Sequence, residues 1–316
     1  MGFDTSYHPV DLRLVEDRLL PYIAGYGDDG ALDDLIARAV GIRRTRFAAK
    51  QWALGALKAD CGLVPALHVW GRPFFSTADT AEQVAEDVRR YLATPHHEVA
   101  ALAREMLGRI DPALAGRVEP DDSGRLPGDR VLGEHLSWRM RVLRASAAAL
   151  RAGRVVVRDP DTGREHDPRA LLAREVPFSV VELAAALVPG WMSRGHTWPT
   201  RLCAEAGVPA AGFSPPTPLY APLRELFPDL DWFGHATITE NYAVGGFVSA
   251  ADVGAVRAGL AGARGALLAP AERDGRAEGC AVDLAKIDEA MALAERLGLG
   301  FCEATEIYSG FEGNLN

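Results

Sequence analysis

Along most of the chain the apolar positions recur with a helical period, and a few short segments between them have the pattern of strands. Apolar or alternating stretches bounded by turn formers predict strands at residues 3–10, 66–76, 232–240 and 300–308. A further pair of short stretches around the turn Pro160-Asp161-Thr162-Gly163 predicts a hairpin over residues 154–167. The strands are therefore few and widely separated in sequence.

Helices are predicted by both periodicity and end signals. Long helical patterns cover residues 32–58 and 132–152, and an amphipathic pattern near residues 287–297 ends at Gly298, as expected for a helix C-terminus. Capping boxes, formed by Thr80 with Gln83 and by Ser179 with Glu182, predict that helices begin at those two points.

These elements predict an α+β or α/β protein, with mixed sheets flanked by helices in two lobes. At the C-terminal end, residues 281–283, the following helix and residues 300–308 form a strand–helix–strand unit, which favours a parallel pair with a right-handed crossover. Turn formers concentrate in residues 117–130 and predict a linker or exposed loop between a lobe at 1–116 and a lobe at 131–316. If the lobes share a sheet, the chain is one domain.

Charge and composition narrow the classes of partner. The 316 residues are 48% hydrophobic and 24% charged, with a formal net charge of −9. The densest basic cluster, Arg43, Arg44, Arg46 and Lys50, lies in a helical pattern and predicts a solvated helix face. Neither a basic surface for nucleic acid, nor a secretory signal, nor a membrane span is indicated, so we expect a cytoplasmic protein.

Motifs for the common cofactors are missing from the sequence. The four cysteines are at least 22 residues apart, so no C-x-x-C pair exists, and there is no phosphate-binding loop, dinucleotide fingerprint or G-x-S-x-G elbow. His97-Glu98 begins a zincin-like pattern, but the second histidine is absent. No nucleotide cofactor is predicted. No metal site is assigned either, although a metal is not excluded; its ligands would come from separate segments, namely His8, His68, His196, His235 and Glu240.

Three segments concentrate residue types that carry chemistry. In the strand predicted at residues 66–76, period-two alternation places His68, Trp70 and Arg72 on one face. A proline-rich irregular region contains a loop with four residues suited to binding or catalysis, Arg194, His196, Trp198 and Arg201. The segment from His235 to Glu240 combines a histidine, two threonines and a carboxylate.

Two hypotheses of function follow, and the sequence does not decide whether the protein is an enzyme. In the first, an enzyme acts on a small anionic molecule in a cleft between the lobes. His196 or His235 would be the acid or base, and Glu240 its partner. The substrate would be bound by His68, Trp70, Arg72, Arg194, Trp198 and Arg201. In the second, a non-catalytic binding or regulatory protein recognises another protein.

Overall fold

The computed structural model describes residues 4–194, 197–232, 243–305 and 307. Its strands are β1 (Thr5–Val10), β2 (Val157–Arg158), β3 (Glu165–His166), β4 (Trp191–Ser193), β5 (Val244–Val248) and β6 (Gly300–Thr305). Its α-helices are α1 (Leu12–Leu14), α2 (Leu20–Ile23), α3 (Asp33–Lys58), α4 (Ala81–Leu92), α5 (Val99–Ile110), α6 (Asp129–Arg151), α7 (Pro168–Leu187), α8 (Pro199–Ala206), α9 (Ala221–Leu226), α10 (Val253–Gly262), α11 (Arg264–Arg273) and α12 (Ala277–Leu297).

Four of the strands form one antiparallel sheet in the order β4-β1-β6-β5. β1 runs along the whole of β6, with Tyr7 opposite Glu303 and His8 opposite Cys302, and β4 covers only the first half of β1. β2 and β3 form a separate two-stranded sheet, the predicted hairpin. The α+β class is confirmed.

The prediction of a parallel C-terminal pair is wrong. Residues 281–283 lie inside α12, and β6 is antiparallel to both of its neighbours. The short apolar run fits a longer helical pattern, because Cys280, Leu284, Ile287 and Met291 are all buried on one face of α12. The helical period therefore overrode the local resemblance to a strand.

Each face of the main sheet covers its own hydrophobic core. Tyr7 and Phe301 project into a first core with α4, α5 and α12, whereas Val10 and Ala304 project into a second core with α2, α6 and α7. Helix α3 contributes to both cores. The sheet takes β1 from before residues 117–130 and its other three strands from after them, and the assignment of two lobes stays a prediction.

Residues 66–76 do not form the predicted strand. Pro65–Val69 is a π-helical turn, and an irregular buried segment follows it. Basic side chains donate hydrogen bonds to its carbonyl groups. The amine of Lys50 donates to the carbonyls of Val69 and Arg72, and the guanidinium of Arg46 donates to the carbonyl of Pro73. The guanidinium of Arg72 in turn donates to the carbonyls of Ser76 and Ala78. These bonds replace the ladder that a strand would form, since buried carbonyls require partners.

The basic cluster of α3 is not a solvated face. Arg43, Arg46 and Lys50 are buried, and Arg44 forms an ion pair with Asp129. The helical spacing of these residues is confirmed, but the side chains of Arg46 and Lys50 bond to carbonyls of the irregular segment packed against α3. The helix therefore presents cations to buried carbonyls, an arrangement that periodicity alone does not reveal.

Local end signals succeeded at two helices and failed at one. Thr80 accepts a hydrogen bond from the Gln83 amide, and Gly298 ends α12 in the left-handed conformation. Ser179, in contrast, lies in the interior of α7, which begins at Pro168 after the cap Asp167. Pro177 remains inside that helix, so the predicted start at Ser179 is wrong.

Gly55 allows the backbone of residues 119–120 to cross α3 closely. A Cβ added at Gly55 would lie 2.0 Å from the carbonyl oxygen of Glu119, whereas one at Gly41 would meet nothing within 4 Å. We expect Gly55→Ala to lower the free energy of unfolding by about 1–3 kcal/mol through overpacking. Gly41→Ala, in the same helix, should raise it by about 0.5–1 kcal/mol. Urea unfolding measures both, and equal effects would contradict this account.

No helix in the described part of the chain is long and apolar enough to cross a membrane.

Candidate functional site

A cavity of about 520 Å³ opens between α8, α11 and α12. Its lining comprises Thr197, Arg201, Leu202, Glu205, Leu267, Pro270, Ala271, Arg276, Gly279, Cys280 and Asp283. This volume falls within the range of small-molecule sites, and the lining combines apolar side chains with a few charged groups, as such sites commonly do.

A buried ion pair lies at the wall of the cavity. Asp283 lines the cavity, and its Oδ1 accepts a hydrogen bond of 3.0 Å from Nζ of Lys286, one turn further along α12. The exposed fractions of the two side chains are 8% and 3%. Oδ2 of Asp283 accepts no hydrogen bond from any described residue, so it remains available to a ligand.

The phenol of Tyr7 approaches the same wall from the sheet. Its hydroxyl donates a 2.6 Å hydrogen bond to the carbonyl of Thr197, which also lines the cavity. Burial raises the pKa of Tyr7 well above its usual value, and the negative charge of Asp283 raises it further. Tyr7 therefore stays protonated and holds the start of the segment that leads into α8.

Two arginines bring positive charge to the cavity. Arg201 binds Glu205 through Nε, and Arg276 binds Asp274 through Nη2. The remaining N–H groups of both guanidiniums have no partner among the described residues. Such groups suit carboxylate or phosphate oxygens, because a guanidinium can donate two parallel hydrogen bonds to them.

Glu303 fixes the beginning of α8 from beneath. Its carboxylate accepts hydrogen bonds from the amide and hydroxyl of Thr200, the amide bond being 3.0 Å, and a 2.8 Å bond from the amide of Gly246. These donors lower the pKa of Glu303, but complete burial outweighs them and raises it to about 7. The cavity wall that carries Arg201 is thus attached to β5 and β6 through one carboxylate.

The tryptophan of the predicted loop, Trp198, is buried in the fold. Its ring packs on Gly245, where an added Cβ would lie 2.1 Å from the indole. Pro199 occupies the first position of α8, where proline is favoured because the first helical N–H has no partner within the helix. Arg201 is the predicted substrate-binding residue that lines the cavity.

Arg72 lies in the protein interior. It forms a bidentate ion pair with Glu289, with bonds of 2.6 and 3.0 Å, and the second oxygen of Glu289 also accepts from the indole of Trp191 at 2.8 Å. Its remaining donors reach the carbonyls of the irregular segment. The charge of Arg72 is therefore already neutralised within the fold.

Two of the predicted segments meet at the edge of the sheet. The amide of Met192 in β4 donates to the carbonyl of Gly71, and the guanidinium of Arg194 lies 5.6 Å from the ring centroid of Trp70. His68 is partly buried beside them, and burial lowers its pKa. The binding roles of His68, Trp70, Arg72, Arg194 and Trp198 stay predictions, since these residues lie outside the lining of the cavity.

The three residues predicted to be catalytic, His196, His235 and Glu240, fall outside the described residues. Within the described ranges, no group of three histidine, cysteine or acidic side chains is placed to hold a metal ion. Cys280 lines the cavity, but burial raises the pKa of its thiol, which disfavours the nucleophilic thiolate.

The sequence analysis did not identify the buried charged residues of α12. Asp283, Lys286 and Glu289 recur every three residues on one face of that helix, and all three are buried. A charged stripe on the otherwise apolar face of an amphipathic helix is the signal that could have revealed them. Glu303 carried a similar signal, because it lies between the buried Phe301 and Thr305 on one face of β6.

Comparisons of the chain with protein-family models, with curated proteins and with solved structures find no match.

Proposed function

We propose that the protein is an enzyme that binds a small anionic molecule in the cavity between α8, α11 and α12 and exchanges a proton with it through Asp283. The observation that supports this proposal is the buried Asp283–Lys286 pair: Asp283 lines a cavity of about 520 Å³, and one of its carboxylate oxygens accepts no hydrogen bond from any described residue. Ionised pairs are costly to bury, so their occurrence at a cavity favours a chemical role.

Each side chain has a part in the proposal. Arg201 and Arg276 bind the anionic group of the substrate. Lys286 holds Asp283 in place through Oδ1, and Oδ2 accepts a proton from the bound molecule. His196 stands immediately before Thr197 in the sequence, and we retain it as a second acid or base. Roles for His235 and Glu240 remain predictions from the sequence.

Binding is tested by thermal shift with a panel of dicarboxylates, 2-oxo acids and phosphate monoesters. We expect at least one compound to raise the Tm of the wild type by about 2–5 °C at saturating concentration. Arg276→Ala should weaken that compound's binding by about tenfold or more, because a charge-assisted contact is lost. Arg130→Ala, which removes an arginine from the exposed surface of α6, is the matched control.

Catalysis is then tested by following the stabilising compound by NMR. Asp283→Asn should leave binding within about threefold and lower turnover by roughly 10²–10⁴-fold, the usual contribution of a general base. If no compound distinguishes wild type from Arg276→Ala, the cavity is not the binding site. Binding without turnover by the wild type would instead support the alternative, a non-catalytic binding protein.

A further inference from the structure

His8 is a buried imidazole whose polar atoms have no partners. It lies on β1 opposite Cys302 and is 1% exposed. Neither Nδ1 nor Nε2 forms a hydrogen bond with any described residue. A neutral imidazole carries one N–H donor, and leaving a buried donor unpaired is unfavourable.

Arg46 is a buried cation without a carboxylate. It is 4% exposed; its Nε donates a 3.0 Å hydrogen bond to the carbonyl of Pro73, and its Nη1 has no partner. Two of the other buried basic residues, Arg72 and Lys286, are each paired with an acid. Among the described residues, no carboxylate forms an ion pair with Arg46, which leaves its charge uncompensated.

The two side chains lie in one region, where β4 begins beside β1. His8 lies next to Gly190, which precedes β4; β4 is bonded to Gly71, and Arg46 is bonded to Pro73 two residues further on. Burial lowers the pKa of His8, and the positive charge of Arg46 lowers it further. Lys50 lies one turn along α3 from Arg46 and is a second buried basic side chain there. Its amine donates to carbonyl groups and forms no bond with a described carboxylate. Gly190 lies against the ring, since an added Cβ there would be 2.2 Å from Nδ1 of His8.

We propose that His8 and Arg46 bind a small monovalent anion, of the size of a halide ion or formate, in the interior of the protein between α3 and β1. An anion there would accept hydrogen bonds from the imidazole N–H and from Nη1 of Arg46, and it would neutralise the guanidinium. The near-complete burial of both side chains restricts the ligand to a few atoms. This site is separate from the cavity of the proposed function, because neither residue lines that cavity.

Bromide is the probe that tests this site. Sodium gluconate, whose anion is too large to enter, is replaced stepwise by sodium bromide at constant ionic strength and pH 7.5. The Tm of the wild type should rise by about 3 °C when bromide exceeds its dissociation constant tenfold. Arg46→Met should abolish the rise. This variant should still fold, because methionine removes an unpaired buried charge at the cost of one hydrogen bond to Pro73.

His8→Leu is a second variant, and it should also reduce the response to bromide. Arg130→Met, on the exposed face of α6, controls for general salt effects and should respond like the wild type. In crystals soaked in bromide, the anomalous signal should lie within hydrogen-bond distance of His8 and Arg46. An equal rise in Tm for wild type and Arg46→Met, or bromide found only at the surface, would overturn the proposal.

Discussion

Replacing Arg72 by methionine should lower the free energy of unfolding by about 3–5 kcal/mol, the cost of breaking a buried ion pair from one side. The variant leaves Glu289 as an unpaired buried carboxylate, still bonded only to Trp191. It also removes the donors of the Ser76 and Ala78 carbonyls. Unfolding in guanidinium chloride measures the loss.

Two further variants separate the causes of this loss. Arg130→Met breaks an exposed pair with Glu134 and should cost less than about 0.5 kcal/mol. In the double variant Arg72→Met/Glu289→Leu, the orphaned carboxylate is gone, so stability should recover in part, by roughly 1–2 kcal/mol. A loss below about 1 kcal/mol for Arg72→Met would show that the pair does not hold the segment in place.

Glu303→Gln should change how stability depends on pH. The folded pKa of Glu303 is about 7, above its ordinary value of 4.5. Its stabilising contribution is therefore fully present below pH 4.5 and is lost as the pH rises through 7. Relative to the glutamine variant, the wild type should lose about 3 kcal/mol over that interval. Urea unfolding of both proteins at several pH values gives this difference directly.

The hydrogen bonds of Glu303 also predict the free energy of unfolding of Glu303→Gln at low pH, where the wild-type carboxyl group is protonated. A protonated Glu303 can donate to the Thr200 hydroxyl while still accepting from both amides. A glutamine NH₂ must face one of those amides, whichever way it turns, so about 1–3 kcal/mol is lost at low pH. Glu134→Gln, on an exposed face of α6, is the control and should track the wild type. If the free energies of unfolding of wild type and Glu303→Gln changed in parallel with pH, the raised pKa of Glu303 would be disproved.

Local chemistry explains which elements could be predicted from the sequence. The cap at Thr80, the left-handed glycine at Gly298 and the turn at Gly163 act over four residues or fewer. Each therefore leaves a complete signal in the sequence. The amphipathic helices could be predicted for the same reason, because the helical period of apolar positions is a property of consecutive residues.

Long-range partners explain what could not be predicted. Residues 66–76 have strand-like composition, but their carbonyls bond to side chains from α3, far earlier in the chain. The antiparallel arrangement of β6 depends on β1, nearly 300 residues away. Neither relationship leaves a signal in the neighbouring sequence. The predictions of a strand at residues 66–76 and of a parallel C-terminal pair therefore agreed with the sequence pattern, but both were wrong.

The candidate site was predicted less completely than the fold. The loop that contains Arg201 stands out in the sequence because it brings together two arginines, a histidine and a tryptophan, and Arg201 does line the cavity. Arg72 was singled out for the same chemistry, but Glu289 lies 217 residues away and could not be foreseen as its partner. Residue type alone does not distinguish an arginine that serves a ligand from one that serves the fold.

The sheet carries two groups that exchange protons in opposite directions when the chain unfolds. His8, whose folded pKa is about 3 against an ordinary 6.5, takes up a proton on unfolding between those values. Glu303 releases one between pH 4.5 and 7. Between pH 4.5 and 6.5 the two slopes cancel, since each amounts to about 1.4 kcal/mol per pH unit. A histidine and a glutamate on opposite faces of adjacent strands thus keep the free energy of unfolding nearly constant during mild acidification.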